Sequence, residues 1–206
     1  MCNLYKLKAS PAEIGDFFDA EVSGFSANMA SEVYPGYPSA VVESGTLKSM
    51  SWGFPLQRKR AKGQALKPKP VNNTRTDKLK SFFWRDSFEN RRCLIPVSSF
   101  AEAQGAKGAM TRTWMSDPDD NLLAVAGIWR GSDEWGAVYS MIMTEANAQI
   151  APVHNRMPVI LSRVQWGNWL GGTPHQAFDL CVPYAAELLV DPTDEPWFKP
   201  RSAKVT

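Results

Sequence analysis

Between residues 91 and 144 the chain passes through one run of strand character after another, with only turns between them. The runs are 91–96, 97–103, 111–115, 122–129 and 138–144, and Asp117-Pro118-Asp119-Asp120-Asn121 is a turn. Strands that follow one another so closely pair antiparallel, because a parallel pair needs a long crossover. Earlier strands are expected at 3–7 and 48–54, with an irregular loop over 32–43 entering a strand through Val41-Val42, and 157–161 is an apolar stretch after the loop that holds His154. Helical signals are brief. Ser10 can cap a helix that has Pro11 at its first position and closes a capping box with Glu13, and Ile14, Phe17 and Phe18 then share one face. Leu79, Phe82 and Phe83 predict a helix over 77–88; Thr144 caps a short one through Ile150; Ser162 with Gln165 starts another that stops at Gly171. Residues 24–31 read as loop, and the Pro-rich tail from about 191 wraps the surface. The expected fold is α+β: one domain over 1–206, a largely antiparallel, partly closed, barrel-like sheet with peripheral helices.

Composition narrows the class of function. With 44% hydrophobic and 21% charged residues the chain is globular. Its longest apolar runs, such as 122–129, are too short to span a bilayer, and residues 1–20 lack the basic-then-apolar order of a signal peptide. Cys2, Cys93 and Cys181 are scattered and odd in number, without a C-x-x-C pair, which argues against a zinc site or a disulfide framework. A reducing, cytoplasmic setting, a monomer, and no metal or cofactor are expected. Charge is uneven. Arg58, Lys59, Arg60, Lys62, Lys67, Lys69, Arg75, Lys78 and Lys80 face the single acid Asp77; against +2 for the whole chain, that window carries +8 and the remainder −6. It reads either as a polyanion footprint or as a solvated loop, with 57–70 irregular and bounded by Gly and Pro.

The second residue carries the most distinctive chemistry. Removal of Met1 would leave Cys2 with a free α-amine and a thiol two carbons apart. An α-amine with a pKa of about 7.7–8.0 is partly unprotonated near neutrality. It can condense with an aldehyde to a Schiff base, and the thiol can close on the same carbon to a five-membered thiazolidine. Of the two histidines, His154 lies in a loop between apolar stretches and His175 among turn residues. His154 reads as a structural residue or a catalyst, and His175 as surface. Alternation puts Glu102 on the same strand face as Phe100, where a carboxylate pairs with a cation or has a raised pKa. Asn73 and Arg75 flank Thr74, so in an extended segment they offer an amide and a guanidinium to one ligand. Trp52, beside Gly53 and Pro55, reads as core or as a wedge at a groove edge.

Cys2 after Met1, Asn73-Thr74-Arg75, Arg91-Arg92-Cys93-Leu94-Ile95-Pro96 followed by Glu102, and His154-Asn155-Arg156-Met157-Pro158 stand in an order that resembles the SOS response-associated peptidase (SRAP) family. The resemblance runs from Cys2 to about Leu161 and on toward the end of the chain. It implies recognition of abasic sites in single-stranded DNA and covalent capture of the sugar aldehyde by Cys2. By the same resemblance Glu102 moves protons, His154 assists ring opening, Asn73 orients the sugar and Cys2, and Arg75 holds a phosphate. Trp52 and the Pro35 loop would hold flanking bases, with Asn3, Lys59 and Lys69 as further DNA contacts. Three departures touch the DNA side. Many members read Cys-Gly-Arg where this chain has Cys2-Asn3-Leu4, leaving Lys6 or Lys8 to substitute for the arginine; the acid is commonly flanked by Tyr and Trp, here Ala101 and Ala103; and Asn155 stands where Asp is common.

Three functions therefore compete: a covalent abasic-site crosslinker with lyase-type Schiff-base chemistry, a cysteine peptidase or autopeptidase with Cys2 as nucleophile, and a non-covalent single-stranded DNA-binding module.

Overall fold

The computed structural model describes residues 2–22, 24–25, 29–61 and 63–198. In chain order its elements are β1 (Tyr5–Lys6), α1 (Pro11–Phe18), β2 (Glu32–Val33), β3 (Pro38–Glu43), β4 (Thr46–Trp52), β5 (Phe54–Lys59), β6 (Ala65–Val71), β7 (Asn73–Arg75), α2 (Arg85–Asn90), β8 (Arg92–Val97), β9 (Ser99–Gln104), β10 (Thr111–Ser116), β11 (Leu123–Ser132), β12 (Gly136–Glu145), β13 (Arg156–Pro158), α3 (Trp166–Gly171), α4 (Pro174–Asp179) and β14 (Leu189–Pro196). Short 3-10 turns cover Thr76–Lys78 and Arg163–Gln165.

Strands β11, β8, β3, β4 and β12 pair in that order, and β12 returns to β11, closing a five-stranded barrel. Most pairs are antiparallel, but β12 runs parallel to β4 and to β7. A second, wholly antiparallel sheet has the order β14-β10-β9-β1-β2. The fold class read from the sequence holds: sheets, mostly antiparallel, with helices packed outside. One continuous core includes Trp52, Tyr139, Met141, Ile95 and Val125 together with Tyr5, Phe100 and Met115. The barrel is tight at Gly127, where a Cβ would come within 2.8 Å of Ile95 and 2.9 Å of the Cys93 sulfur.

Helix α1 starts as its sequence demands. Ser10 Oγ accepts the Glu13 N–H, Glu13 returns a bond to the Ser10 N–H, and Phe18 stacks on Trp166 at 4.8 Å. The capping box at Ser162 also forms. A third one, Thr173 with Gln176, opens α4 and places His175 on the surface, paired with Asp179 at 3.0 Å.

Four expectations need correction. Residues 57–59 and 65–70 are strand and not loop: β5 and β6 form a two-stranded ribbon with Phe54 opposite Val71 and Lys59 opposite Ala65. Backbone pairing overrode the loop-like composition, with Pro55 set against Pro70 and a register shift between Leu56 and Arg58. Gly53 makes the entry, at φ +124° and so close to Pro70 that a Cβ would approach it to 2.5 Å. The helix over 77–88 shrinks to the 3-10 turn and α2, because the adjacent pair Phe83 and Trp84 both pack near Phe54, and neighbours on a helix diverge by about 100°. Leu79 is buried, but Phe82 is 96% exposed. Thr144 caps no helix; it is the last residue but one of β12 and donates to the Cys181 carbonyl, while Asn147 Oδ1 takes the Ile150 N–H. The tail from 191 belongs to β14, which is bound edge to edge on β10 through residue 196; 199–206 lie outside the described residues.

The Arg91-Arg92 pair has a structural explanation. The buried Arg92 guanidinium donates to the carbonyls of Phe88 (2.7 Å), Glu89 (3.0 Å), Trp169 and Gly172. It thus takes up the open carbonyl ends of α2 and α3. Arg92→Met keeps the apolar stem and leaves those carbonyls bare. It should lower unfolding free energy by about 3 kcal/mol in a urea titration; a change below about 1 kcal/mol would show that the arginine does not hold the two helices.

Candidate functional site

The site is built where the start of the chain crosses the second sheet and meets the barrel. β1 pairs with β9, Tyr5 opposite Phe100 and Lys6 opposite Ser99, and the Ala101 N–H bonds the Leu4 carbonyl at 3.0 Å. Continuing that register brings Cys2 and Asn3 alongside the Glu102 end of β9. On the barrel, β7 lies parallel to β12 with Asn73 opposite Met141 and Arg75 opposite Met143. Thr74 faces inward, its hydroxyl 2.9 Å from that of Ser140, so alternation turns Asn73 and Arg75 to the other face.

Cys2 is fully buried. Its thiol donates to the Leu4 carbonyl at 3.5 Å. Its own carbonyl is gripped twice, by Asn73 Nδ2 at 2.6 Å and by Asn72 Nδ2 at 2.9 Å. Asn72 Nδ2 also reaches Asn3 Oδ1 at 3.2 Å, and the Asn72 carbonyl accepts the Trp52 indole N–H at 2.9 Å and the Met141 N–H at 3.0 Å. Asn73 Oδ1 is buried with no hydrogen-bond partner among the described residues. Asn72 escaped the sequence reading; the only available signal was a second asparagine directly before the motif.

Three titratable groups share the field of the chain's amino terminus. Burial first, then the Glu102 charge, push the Cys2 thiol far above its ordinary value, with the amino-terminal charge acting the other way. Burial also pushes the Glu102 carboxyl up to about 7, again opposed by that charge. His154 is lowered, by burial first and then by the amino-terminal charge. Its ring is set by Arg156: Nδ1 lies 3.0 Å from the Arg156 N–H and 3.1 Å from the Arg156 carbonyl. The neutral ring can accept from the first, and the imidazolium can donate to the second. Asn73 thus bonds the Cys2 carbonyl, the Glu102 charge acts on the Cys2 thiol, and the amino-terminal charge acts on Cys2, Glu102 and His154 alike.

The residues assigned to DNA divide. Arg75 is exposed, with its guanidinium forked onto Asp77 at 2.8 Å by two bonds. Asn3 is exposed and tied to Asn72. Pro35 and Gly36 make the corner of a turn closed by the Tyr37 N–H on the Tyr34 carbonyl at 2.9 Å, and the Gly36 N–H bonds the Trp52 carbonyl at 2.7 Å. Lys69 is exposed on β6, opposite Leu56; Lys59 is in β5, its side chain outside the described residues. Trp52 is corrected. Its ring has no exposed surface, lies edge-on to Tyr5 at 5.0 Å, and spends its N–H on Asn72, so it supports the clamp and cannot stack on a base. Among the described residues no group of three His, Cys, Asp or Glu side chains is placed to hold a metal, and no helix is long and apolar enough to cross a membrane.

A sequence profile described as SOS response associated peptidase (SRAP) matches residues 1–195. The chain is 26% identical to the Abasic site processing protein YoaM of Bacillus subtilis, over 91% of this chain and 88% of that one. Among solved structures, a protein from Bordetella bronchiseptica superposes with a TM-score of 0.78 at 22% identity, covering 93% of this chain and 99% of that chain. One from Bacteroides thetaiotaomicron gives 0.75 at 16%, covering 92% and 91%.

The raised carboxyl makes a measurable demand. From about pH 4.5, its ordinary value, to about 7, the folded chain keeps a proton on Glu102 that the unfolded chain releases. Stability therefore falls as pH rises through that window and is level above it. Glu102→Gln removes the penalty, so the variant should gain on the wild type by about 2–3 kcal/mol between pH 4.5 and 8 in urea titrations. Parallel stability curves for the two would mean that Glu102 is not a buried, protonated acid.

Proposed function

The chain belongs to the SOS response associated peptidase (SRAP) family, and we propose that it processes abasic sites in single-stranded DNA by capturing the sugar aldehyde on Cys2. The observation that carries this reading is the convergence of Cys2, the Asn72–Asn73 clamp and the raised Glu102 at the amino terminus. The name of its Bacillus subtilis relative, an abasic site processing protein, points the same way.

The reactive amine exists only after Met1 is removed. The Cys2 nitrogen then adds to the aldehyde carbon of the opened sugar, and loss of water gives a Schiff base. A carboxyl poised near 7 serves both halves of that step: protonated it gives a proton to the departing hydroxyl, ionised it takes one back. The Cys2 sulfur then bonds the same carbon as its S–H proton passes to Glu102 and the ring nitrogen takes up a proton, closing the thiazolidine. His154, neutral at neutral pH, donates to the ring oxygen as the sugar opens. Asn73, whose acceptor oxygen has no partner among the described residues, holds the Cys2 carbonyl and aligns the amine. Arg75 exchanges Asp77 for a backbone phosphate, since both offer paired oxygens to the same fork. Exposed Lys69 on the ribbon, and Asn3 and the Pro35 corner beside the site, extend the path of the strand. An intact nucleotide has no free aldehyde, so selectivity lies in the chemistry and affinity in the charge. A thiolate peptidase has less support, because burial and the Glu102 charge keep the sulfur protonated.

Incubation with single-stranded DNA bearing one abasic site should give a heat-stable adduct whose mass corresponds to a chain lacking Met1, and Cys2→Ala should abolish it. An adduct that survives Cys2→Ala defeats the mechanism. Asn72→Leu should slow adduct formation about tenfold, the worth of one aligned hydrogen bond, with the half-saturating DNA concentration changed less than twofold. An unchanged rate would leave Asn73 as the sole clamp.

A further inference from the structure

The segment that follows β7 carries a side chain that packing does not explain. Phe82 is 96% exposed, while its neighbours Phe83 and Trp84 supply the aromatic contacts to Phe54. A phenylalanine ring given almost wholly to water adds nothing to the core and leaves a large apolar face open to a ligand. Around it the segment turns cations outward: Lys78, Lys80 and Arg85 are all exposed. Lys78 is loosely paired with Asp77 at 3.6 Å, and neither Lys80 nor Arg85 forms an ion pair among the described residues. Lys80 and Arg85 also line a cavity of about 390 Å³ floored by Leu79, Phe88 and Phe178, where the Lys80 ammonium sits 5.0 Å over the Phe178 ring. Glu89 and the His175–Asp179 pair complete its wall. An apolar floor with cations at the rim fits an aromatic ligand attached to an anionic backbone.

The position adds to the argument. Phe82 is nine positions along the chain from Asn73, so the two lie at most about 30 Å apart. That distance falls within the span of one strand that also occupies the site. We infer that Phe82, with Lys80 and Arg85, is a stacking platform for an undamaged base of single-stranded DNA, several nucleotides from the sugar that reacts. The inference rests on the reading of Cys2 only for the identity of the ligand. The platform itself takes any base, because every base offers a π-face. A protein docking on the same exposed ring is the alternative occupant, and the test separates the two.

Fluorescence anisotropy with labelled, undamaged single strands of twelve and of three nucleotides reads the platform directly. Phe82→Ala should unfold like the wild type, since the ring packs on nothing, yet bind the twelve-mer about tenfold more weakly, with Phe82→Trp restoring affinity. The three-mer should bind both forms alike. Lys80→Ala should lower the slope of log affinity against log salt by about one, while Phe82→Ala leaves that slope unchanged. Crosslinking to an abasic strand at saturating DNA should proceed at the wild-type rate in Phe82→Ala. If Phe82→Ala binds the twelve-mer as tightly as the wild type does, the platform is refuted and the ring is left for a protein partner. If no variant crosslinks but the affinity loss persists, the Cys2 chemistry fails and the platform stands.

Discussion

The structure depends on the pairing of β12. This strand closes the barrel by returning to β11, and along its other edge it accepts β4 and then β7 in parallel. Its far end takes β13, which begins two residues after His154. Asn73 and His154, distant in sequence, are thus placed by opposite edges of one strand. The Met141 N–H fixes the carbonyl of Asn72, and so the clamp on Cys2 is anchored in barrel backbone and not in a loop. Rigid strands position side chains more tightly than loops do, which a reaction between small, oriented groups requires.

Around that frame the electrostatics are arranged by burial more than by pairing. The Cys2 thiol, Glu102 and His154 are each shifted first by loss of water. All three shifts favour the uncharged form, so the end of the chain meets a pocket of neutral donors and acceptors. Such a pocket keeps the sulfur as a thiol until a carbon is presented to it, and keeps the carboxyl near the midpoint of its titration. The two asparagines act without titrating at all. Their amides hold a carbonyl in one direction whatever the pH.

How far the sequence foretold this can be read from individual residues. Alternation in the 97–103 run put Glu102 on the face of Phe100, to pair with a cation or to have a raised pKa; it is buried, and the burial raises it against the pull of the amino-terminal charge. The Asn73–Arg75 pair emerged on one face for the same reason. What could not be read was contact across long stretches of chain, above all the parallel seating of β7 on β12, which no local pattern encodes. Asn72 was hidden because its role arises from that seating. Composition misled at 57–70, where Pro, Gly and Lys look like loop but backbone pairing makes a ribbon. Trp52 was ambiguous because Gly53 and Pro55 beside it resemble a surface turn, whereas they mark the departure of that ribbon from the barrel. At 77–88 the apolar spacing matched a helix, yet consecutive aromatic residues had to dock together.

The ribbon has one more consequence. Among the described residues β5 and β6 pair with each other and not with the barrel, which leaves their outer edges without a strand partner there. Open edges recruit strands from neighbouring molecules and seed aggregates. Here Pro55, Pro68 and Pro70 withhold N–H groups along the ribbon, and exposed Lys67 and Lys69 repel a second copy of the same surface. The same residues that offer charge to nucleic acid thus keep concentrated molecules of this protein apart from one another.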